Sequence, residues 1–375
     1  MTMPQRMSEL DYTQLISVLQ NPPAVNYPIL LPDFFVDHFV VFDTLDRLID
    51  GLTRLAEQGG GNLLDNQQII RRGGNAVNTA SALLSLGLNP KPIVKTDEYG
   101  VSLLKALVDP EMDLSHVHND GRLSSTVSIE TEHLGRKVNL MVSDSGSAAD
   151  FAFSDLSEND IDVIKDSGIV ALVNLNHNRR SAELAHDLFQ MVKESSTAKT
   201  FMNMSDPSGN PEMIPQLIDR VFKKGLVDIV GLNENEVGWL AKYLTNDSER
   251  WGNLPTKPEL WLKGAKLIAN ETGARIDLHT PHYSATTDGE KTTTVPAFAV
   301  ESHVVCGAGD AWNAGDIYGT LLNLPALERL ILANATASLY VSSAFATHPR
   351  LSDIIRFLES TPLTSRDGKK LLKVQ

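Results

Sequence analysis

From about residue 90 onward, short apolar runs alternate with amphipathic helical patterns along the chain. Strand-like runs occur at 169–175, 200–204 and 227–232, and helical patterns follow them at 181–192, 215–222 and 236–243. Strands that are joined by helices run parallel, because each helix returns the chain to the same end of the sheet. The alternation therefore predicts an α/β fold with a doubly wound, mainly parallel sheet that has helices on both faces.

One region departs from this alternation. Residues 125–131 and 137–143 are rich in β-branched side chains, alternate in polarity and flank a turn at Leu134-Gly135-Arg136. Such a pattern is typical of a β-hairpin. The hairpin is either a lid that covers a ligand or an ordinary hairpin at the edge of the sheet, and the pattern alone leaves both open.

Charge and cysteine content exclude several classes of function. The net charge of −14 opposes binding to a nucleic-acid backbone or to an anionic membrane surface. Cys306 is the single cysteine, so no intramolecular disulfide can form, as is usual in a reducing compartment. No signal peptide or membrane-spanning stretch is predicted, and we expect a cytoplasmic protein.

A loop of small residues near the C-terminus opens directly into a long helical pattern. The loop is Gly307-Ala308-Gly309-Asp310. The first N–H groups of a helix have no partner inside the helix, and the helix dipole attracts negative charge to them. Asp310 in the first turn either accepts the proton of a substrate hydroxyl or serves only as a helix cap.

Three segments together carry a resemblance to a known family. Gly307-Ala308-Gly309-Asp310 resembles the C-terminal signature of the ribokinase-like (PfkB) sugar kinases, and the segment Gly73-Gly74-Asn75-Ala76-Val77-Asn78-Thr79-Ala80 resembles their N-terminal signature. Asn233-Glu234-Asn235-Glu236 is similar to the Asn-x-x-Glu motif of the family. The three lie in family order, and the resemblance covers roughly residues 27–358. Residues 1–26 are then an extension and residues 359–375 a tail.

The resemblance implies a ribokinase-like domain with a small β lid, formed near 66–72 and 124–144. It implies transfer of a phosphoryl group from a nucleotide, ATP foremost, to an alcohol of a sugar or sugar-like substrate. Asp310 would be the catalytic base, and the amides of Gly307, Ala308 and Gly309 would form an anion hole. Asn233 and Glu236 would organise Mg²⁺ and the phosphates through water, with a simple capped helix start as the alternative.

The resemblance also implies residues for the acceptor and for the nucleotide. Asp37 would bind substrate hydroxyls, since a carboxylate accepts two hydrogen bonds. The remaining candidates on the acceptor side are Gly73, Gly74, Asn78 and Asn176, with His177 beside them. Thr280 and Asn334 are the candidates for contact with the nucleotide.

The chain departs from the family pattern in the residues before the anion loop. Many members have Asp-Thr-x there, whereas this chain has Val304-Val305-Cys306. Because the absent side chains often help to hold a monovalent cation, dependence on such a cation is uncertain. No Cys–His pair is evident for Cys306 and the proton-transfer role already has a candidate in Asp310, so we interpret Cys306 as a packed thiol.

Two other functions remain as alternatives. A non-catalytic sugar- or nucleoside-binding protein could keep this fold, although a pure binder has no need of Asp310. A dinucleotide-dependent oxidoreductase is disfavoured, because no Gly-x-Gly-x-x-Gly segment follows the first strand. The resemblance further implies that lid strands can pair between subunits, so a homodimer is one expected assembly. The identity of the substrate cannot be read from the sequence.

Overall fold

The structure is a computed structural model that describes residues 12–361. Its helices are α1 Thr13–Gln20, α2 Leu45–Glu57, α3 Asn75–Ser85, α4 Glu98–Leu107, α5 Glu158–Lys165, α6 Ser181–Ser195, α7 Met213–Leu217, α8 Glu234–Thr245, α9 Ser248–Trp251, α10 Pro258–Thr272, α11 Ala308–Leu321, α12 Ala326–Val341 and α13 Leu351–Ser360. Its strands are β1 Pro28–Leu31, β2 Phe35–Val41, β3 Gln68–Gly73, β4 Lys91–Pro92, β5 Val94–Lys95, β6 Val117–His118, β7 Ser124–His133, β8 Arg136–Asp144, β9 Ile169–Leu172, β10 Lys199–Met202, β11 Ile229–Asn233, β12 Arg275–His279, β13 Tyr283–Thr287 and β14 Thr292–Pro296.

The central sheet has the strand order β14-β13-β12-β11-β10-β9-β1-β4. The strands from β12 to β4 run parallel, and β13 and β14 are added antiparallel at one edge. Helices cover both faces, so the side chains of an inner strand alternate between two apolar layers: Val170 and Leu172 of β9 lie in one, Ile169 and Ala171 in the other. The predicted doubly wound, mainly parallel fold is confirmed.

A second sheet of four strands, which we call the lid sheet, has the order β3-β2-β7-β8. The predicted hairpin forms its β7–β8 half, with Val127 directly opposite Val142. Strand β2 pairs parallel to β7 and antiparallel to β3. The hairpin is therefore part of a separate sheet and not an ordinary edge hairpin of the central one. Strand β2 was not predicted as a separate strand, because the apolar sequence of β1 continues into it almost without a break.

The N-terminal extension is partly built into the domain. Helix α1 packs against α13, and Leu15 and Leu19 are buried there. Residues 1–11 and 362–375, which include most of the expected tail, lie outside the described residues. No helix in the described part of the chain has the length and apolar content of a membrane span.

The two glycine motifs meet through packed helices. Helix α3 follows the N-terminal motif, α11 follows the C-terminal motif, and the two pack against each other. Both helices contribute to the same apolar layer on one face of the central sheet. Their N-termini thereby come together beside the lid sheet.

Candidate active site

A cleft of about 630 Å³ lies between the carboxyl ends of the central strands and the lid sheet. Asn174, Asn203, Asn233 and His279, which follow or end successive strands, line its floor. Ligand crevices of open α/β sheets occur at this edge. Of the predicted residues, the cleft is lined by Asp37, Gly74, Asn78, Asn176, Asn233, Glu236, Gly307, Gly309 and Asp310.

Asp310 is buried in the first turn of α11, at the centre of this cleft. Its carboxylate accepts a hydrogen bond from Nδ2 of Asn78 at 3.2 Å, and α11 begins at Gly307 without a side-chain cap. Asp310 therefore does not serve as a helix cap. Burial raises the pKa of Asp310 well above its ordinary value, and the carboxylates of Asp33 and Asp37 raise it further.

The start of α11 presents backbone amides to the cleft. Gly307 has a φ of 85°, which favours glycine and turns the chain into the helix. The N–H groups of Gly307, Gly309 and Asp310 have no hydrogen-bond partner within residues 12–361. The N–H of Ala308, included in the predicted anion hole, instead donates to the carbonyl of Val305 at 3.2 Å. The anion hole therefore differs from the prediction: the N–H of Asp310 is free, and the N–H of Ala308 is not.

Two aspartates stand on the acceptor side and have different environments. Asp33 is buried and accepts from the N–H groups of Asn75 and Ala76, both at 2.9 Å, and from Nδ2 of Asn174 at 2.6 Å. These hydrogen bonds fix the start of α3, and they engage both carboxylate oxygens of Asp33. Asp37, on β2, lines the cleft; burial and the charge of Asp33 raise its pKa to about 6. Of the two aspartates, Asp37 is thus the one that lines the cleft.

The glycine pair before α3 has two distinct geometries. Gly74 has a φ of 84°, and a Cβ there would lie 3.0 Å from the backbone of Asp33 and Phe34. A Cβ on Gly73 would instead lie 2.3 Å from the carboxyl group of Asp37. Gly74 is therefore required by the turn, whereas Gly73 leaves room for the carboxylate of Asp37.

We expect Gly73→Ala to raise the KM for the acceptor about tenfold, because the new methyl group displaces the Asp37 carboxylate and weakens a charged hydrogen bond. Stability should change by less than about 1 kcal/mol, since the displaced group ends a flexible side chain. Gly74→Ala is the matched control and should lower stability by about 1–2 kcal/mol through its left-handed backbone. Steady-state kinetics and denaturant unfolding measure both; an unchanged KM in Gly73→Ala would contradict this role of Asp37.

Asn233 and Glu236 form a capped helix start that also lines the cleft. The Asn233 side chain accepts from the N–H groups of Asn235 and Glu236, at 2.9 and 3.0 Å. The Glu236 carboxylate accepts from the N–H and Nδ2 of Asn233, at 3.0 and 3.1 Å. Burial raises the pKa of Glu236 to about 8, and the nearby Asp206 and Glu234 add to the shift. Within residues 12–361 none of Asp206, Glu234 and Glu236 forms an ion pair, so this wall of the cleft concentrates acidic groups.

The oxygen donors here fit magnesium better than a transition metal. No group of three or more His, Cys, Asp or Glu side chains that could hold a metal occurs in residues 12–361. The oxygens of Glu236 are already engaged in hydrogen bonds. Mg²⁺ keeps several of its waters and takes few protein ligands. The residues therefore suit an ion held through water rather than a closed protein cage.

Thr280 and Asn334 do not line the cleft. The Thr280 hydroxyl donates to the carbonyl of Tyr283 at 2.7 Å within a turn. The Asn334 side chain accepts from Nε1 of Trp312 at 2.9 Å and donates to the carbonyl of Pro296 at 3.0 Å. Both side chains hold local structure, and their contact with a nucleotide stays a prediction.

Cys306 lines the cleft as a neutral thiol. Burial, followed by the charge of Asp37, raises its pKa to about 12. A thiol is a weak nucleophile, so the environment agrees with the interpretation of Cys306 as a packed side chain.

Sequence reasoning missed several residues that the structure brings into the cleft. His279 ends β12, its Nε2 has no hydrogen-bond partner in the described residues, and burial lowers its pKa to about 4. Asn203 donates to the carbonyl of Gly231 at 2.9 Å. Both residues could have been found from their position, since they lie at the carboxyl ends of parallel strands. On this criterion only Asn176 and His177 were predicted.

Comparison with known proteins gives a consistent result. The sequence model described as "pfkB family carbohydrate kinase" matches residues 43–353, more than half of the chain. A ribokinase from Arabidopsis thaliana, solved with ribose and ATP, is similar with a TM-score of 0.69 and 18% identity, over 90% of this chain and 100% of that one. An adenosine kinase from Sinorhizobium meliloti is similar with a TM-score of 0.66 and 19% identity, over 90% and 99%. No curated protein matches the sequence.

Proposed function

Because the chain belongs to the pfkB family of carbohydrate kinases, we propose that it transfers the terminal phosphoryl group of a nucleotide, ATP foremost, to a hydroxyl of a sugar or sugar-like substrate. The observation that carries this proposal is the placement of Asp310. Its buried carboxylate contacts Asn78 and stands beside the free amides at the start of α11. A proton acceptor and an anion-binding site thus share one position.

The proposed transfer proceeds in line. The substrate hydroxyl gives its proton to the Asp310 carboxylate as its oxygen bonds to the terminal phosphorus. The bond from that phosphorus to the bridging oxygen breaks, and the nucleoside diphosphate leaves with the bond electrons. The amides of Gly309 and Asp310 stabilise the negative charge on the phosphoryl oxygens during transfer.

The acceptor and the metal are held by different walls of the cleft. Asp37 and Asn78 are proposed to orient the hydroxyl, and Asn233 and Glu236 to hold Mg²⁺ through water. When bound, Mg²⁺ neutralises negative charge on the phosphates. Burial, followed by the charges of Asp206 and Glu234, raises the pKa of Glu236, and a bound cation would favour its ionised form, which supports this assignment.

The lid sheet closes the acceptor side of the cleft. Thr126, Met141 and Ser143, on β7 and β8, line the cleft from above. A lid that excludes water prevents hydrolysis of the nucleotide in place of transfer. The outer apolar pair Val127 and Val142 is exposed, which supports the proposal of a homodimer through the lid. A cytoplasmic location stays a prediction.

A phosphoryl-transfer screen tests the proposed function. Purified protein is incubated with Mg²⁺, ATP or ADP, and a panel of sugars, nucleosides, polyols, sugar phosphates and sugar acids. We expect nucleotide consumption that depends on one class of acceptor, with the phosphorylated product identified by mass spectrometry. Binding of an acceptor without transfer from any nucleotide would favour the non-catalytic binding protein instead.

A further inference from the structure

Two neighbouring cations, Arg71 and Arg72, lie near the end of strand β3, directly before the pair Gly73 and Gly74. Neither Arg71 nor Arg72 forms an ion pair within the described part of the chain. The Arg71 guanidinium lies 5.4 Å from the centre of the Phe39 ring, and Nε of Arg72 is buried without a hydrogen-bond partner. Both side chains are half-buried, and a guanidinium nitrogen that is shielded from water normally has an acceptor, which the described residues do not supply to Nε of Arg72.

The two arginines line a cavity that shares a wall with the cleft. The cavity measures about 170 Å³ and is lined by Arg71 and Arg72 together with Asp37, Asn78, Cys306 and Tyr340. Asp37, Asn78 and Cys306 also line the main cleft. The cavity therefore adjoins the acceptor side. Asn233 and Glu236, which line the opposite wall, take no part in it.

The surrounding groups do not neutralise the two cations. Asp37 is the cross-strand partner of Arg71 in the register, yet the two side chains form no ion pair. Burial, and then the positive charge of Arg71, lower the pKa of Arg72, whereas Tyr340 and Asp310 raise it. Arg72 is thus close enough to Asp310 to interact with its charge across the boundary between cavity and cleft.

A second polar side chain beside Arg72 also lacks a partner. His348 is 7% exposed, and neither of its ring nitrogens forms a hydrogen bond within residues 12–361. The Tyr340 ring stacks on it with 4.9 Å between the ring centres, and the Tyr340 hydroxyl donates to the carbonyl of Cys306 at 2.9 Å. Nε of Arg72 and both ring nitrogens of His348 are therefore buried polar atoms near this cavity that have no partner in the described residues.

We propose that Arg71 and Arg72 bind an anionic group, a phosphate or a carboxylate, that the acceptor carries in addition to its reacting hydroxyl. The planar guanidinium fork matches both groups with paired, charge-assisted hydrogen bonds. The proposal rests on the proposed kinase function and narrows its substrate class to sugar phosphates and sugar acids. Neutral sugars and nucleosides would leave both cations without a partner.

Matched pairs of acceptors test the proposal: ribose against ribose 1-phosphate and ribose 5-phosphate, fructose against fructose 6-phosphate, and glucose against gluconate. Each is assayed for transfer with ATP and Mg²⁺ and, separately, for binding by calorimetry without nucleotide. Arg71→Gln, Arg72→Gln and Arg72→Lys are compared with wild type. Arg54→Gln, at an exposed arginine of α2, is the matched control.

We expect at least one anionic acceptor to be preferred over its neutral partner, and each Gln variant to weaken its binding about tenfold or more. Arg72→Lys should keep part of the preference because it keeps the charge, and Arg54→Gln should match wild type. Thermal unfolding of every variant confirms that it is folded; if Arg72→Gln is unfolded, Arg71→Gln and Arg72→Lys decide the question.

The outcomes separate the anion site from the kinase activity. Arginine-dependent binding of an anionic acceptor without phosphoryl transfer would uphold the anion site and remove the kinase function. Transfer to neutral acceptors as fast as to anionic ones, or no preferential binding of any anionic member, would overturn the anion site. So would Gln variants that weaken ATP binding in the absence of acceptor, because the arginines would then bind the donor phosphates.

Discussion

Asp310→Asn should lower kcat by about 10³-fold while binding of acceptor and nucleotide persists. Asparagine keeps the size of the side chain, and its amide oxygen can still accept the hydrogen bond that Nδ2 of Asn78 donates to the Asp310 carboxylate at 3.2 Å in the wild type. It cannot accept the hydroxyl proton during transfer. The free amides of Gly309 and Asp310 remain, so residual transfer through charge stabilisation should be measurable.

The pH profile distinguishes loss of a base from loss of structure. Burial and neighbouring carboxylates raise the pKa of Asp310, so in wild type kcat/KM should rise with pH along an acidic limb that lies above the ordinary aspartate range near pH 4. Asp37, with a pKa of about 6, can add to this limb. Asp37→Asn should raise KM and keep the Asp310 limb, whereas Asp310→Asn should remove it.

Asp162→Asn, at an exposed acid of α5, is the matched control and should behave as wild type. Calorimetry with a non-hydrolysable ATP analogue and with acceptor checks that both sites still bind in Asp310→Asn. Turnover equal to wild type would exclude Asp310 from the reaction. Loss of binding together with turnover would assign it a structural role.

The central sheet could be predicted because its physical signal is local. Strands that are buried on both faces read as continuous apolar runs. Strand β9 lies within its predicted run, and β10 and β11 overlap theirs but each extends one residue beyond it. Strand β2 could not be separated in the same way. It follows β1 after only three residues, and no local feature shows where an apolar stretch leaves one sheet for another.

Site residues could be predicted where they belong to a sequence motif, but not where only the packing of distant segments brings them to the site. Asp310 and Asn78 are 232 positions apart, and the resemblance, rather than spacing, brought them together. Asp37 was identified through the resemblance, but the role of the neighbouring Asp33 was not predicted, because its hydrogen bonds are made to the start of α3. The environment of Arg72 could not be predicted from the sequence, because the cavity beside it is formed by segments that lie far apart along the chain.

Arg329→Leu should destabilise the protein by about 3–5 kcal/mol, because it would leave two buried acids without their shared cation. Arg329, on α12, donates to Asp277 at 3.0 and 3.2 Å, to Asp316, and to the hydroxyl of Thr286 at 2.9 Å. Asp277 and Asp316 are both fully buried. This group joins α11, which carries Asp310, to β12, which ends at the cleft with His279.

The destabilisation should depend on pH in a definite direction. Burial alone would raise the pKa of Asp277, but Arg329 and Arg275 hold it well below its ordinary value. The pKa of Asp316 is raised to about 7, because burial and the charge of Asp277 outweigh the effect of Arg329. Without Arg329 both acids should have a higher pKa in the folded than in the unfolded protein. Stability is then lost as pH rises above about 4, so the effect of the mutation should be larger at pH 8 than at pH 5.

Denaturant unfolding of Arg329→Leu at these two pH values measures the effect, with Arg356→Leu as the control. Arg356 is exposed, and its one ion pair within the described residues is with Asp353 on its own helix, so its loss should change stability by less than about 1 kcal/mol. Adding Asp277→Asn and Asp316→Asn to Arg329→Leu should recover much of the stability at pH 8, because no fully buried carboxylate then remains uncompensated. Equal losses for the two arginine variants, or no difference between pH 5 and pH 8, would show that the buried charges do not hold α11 against the sheet.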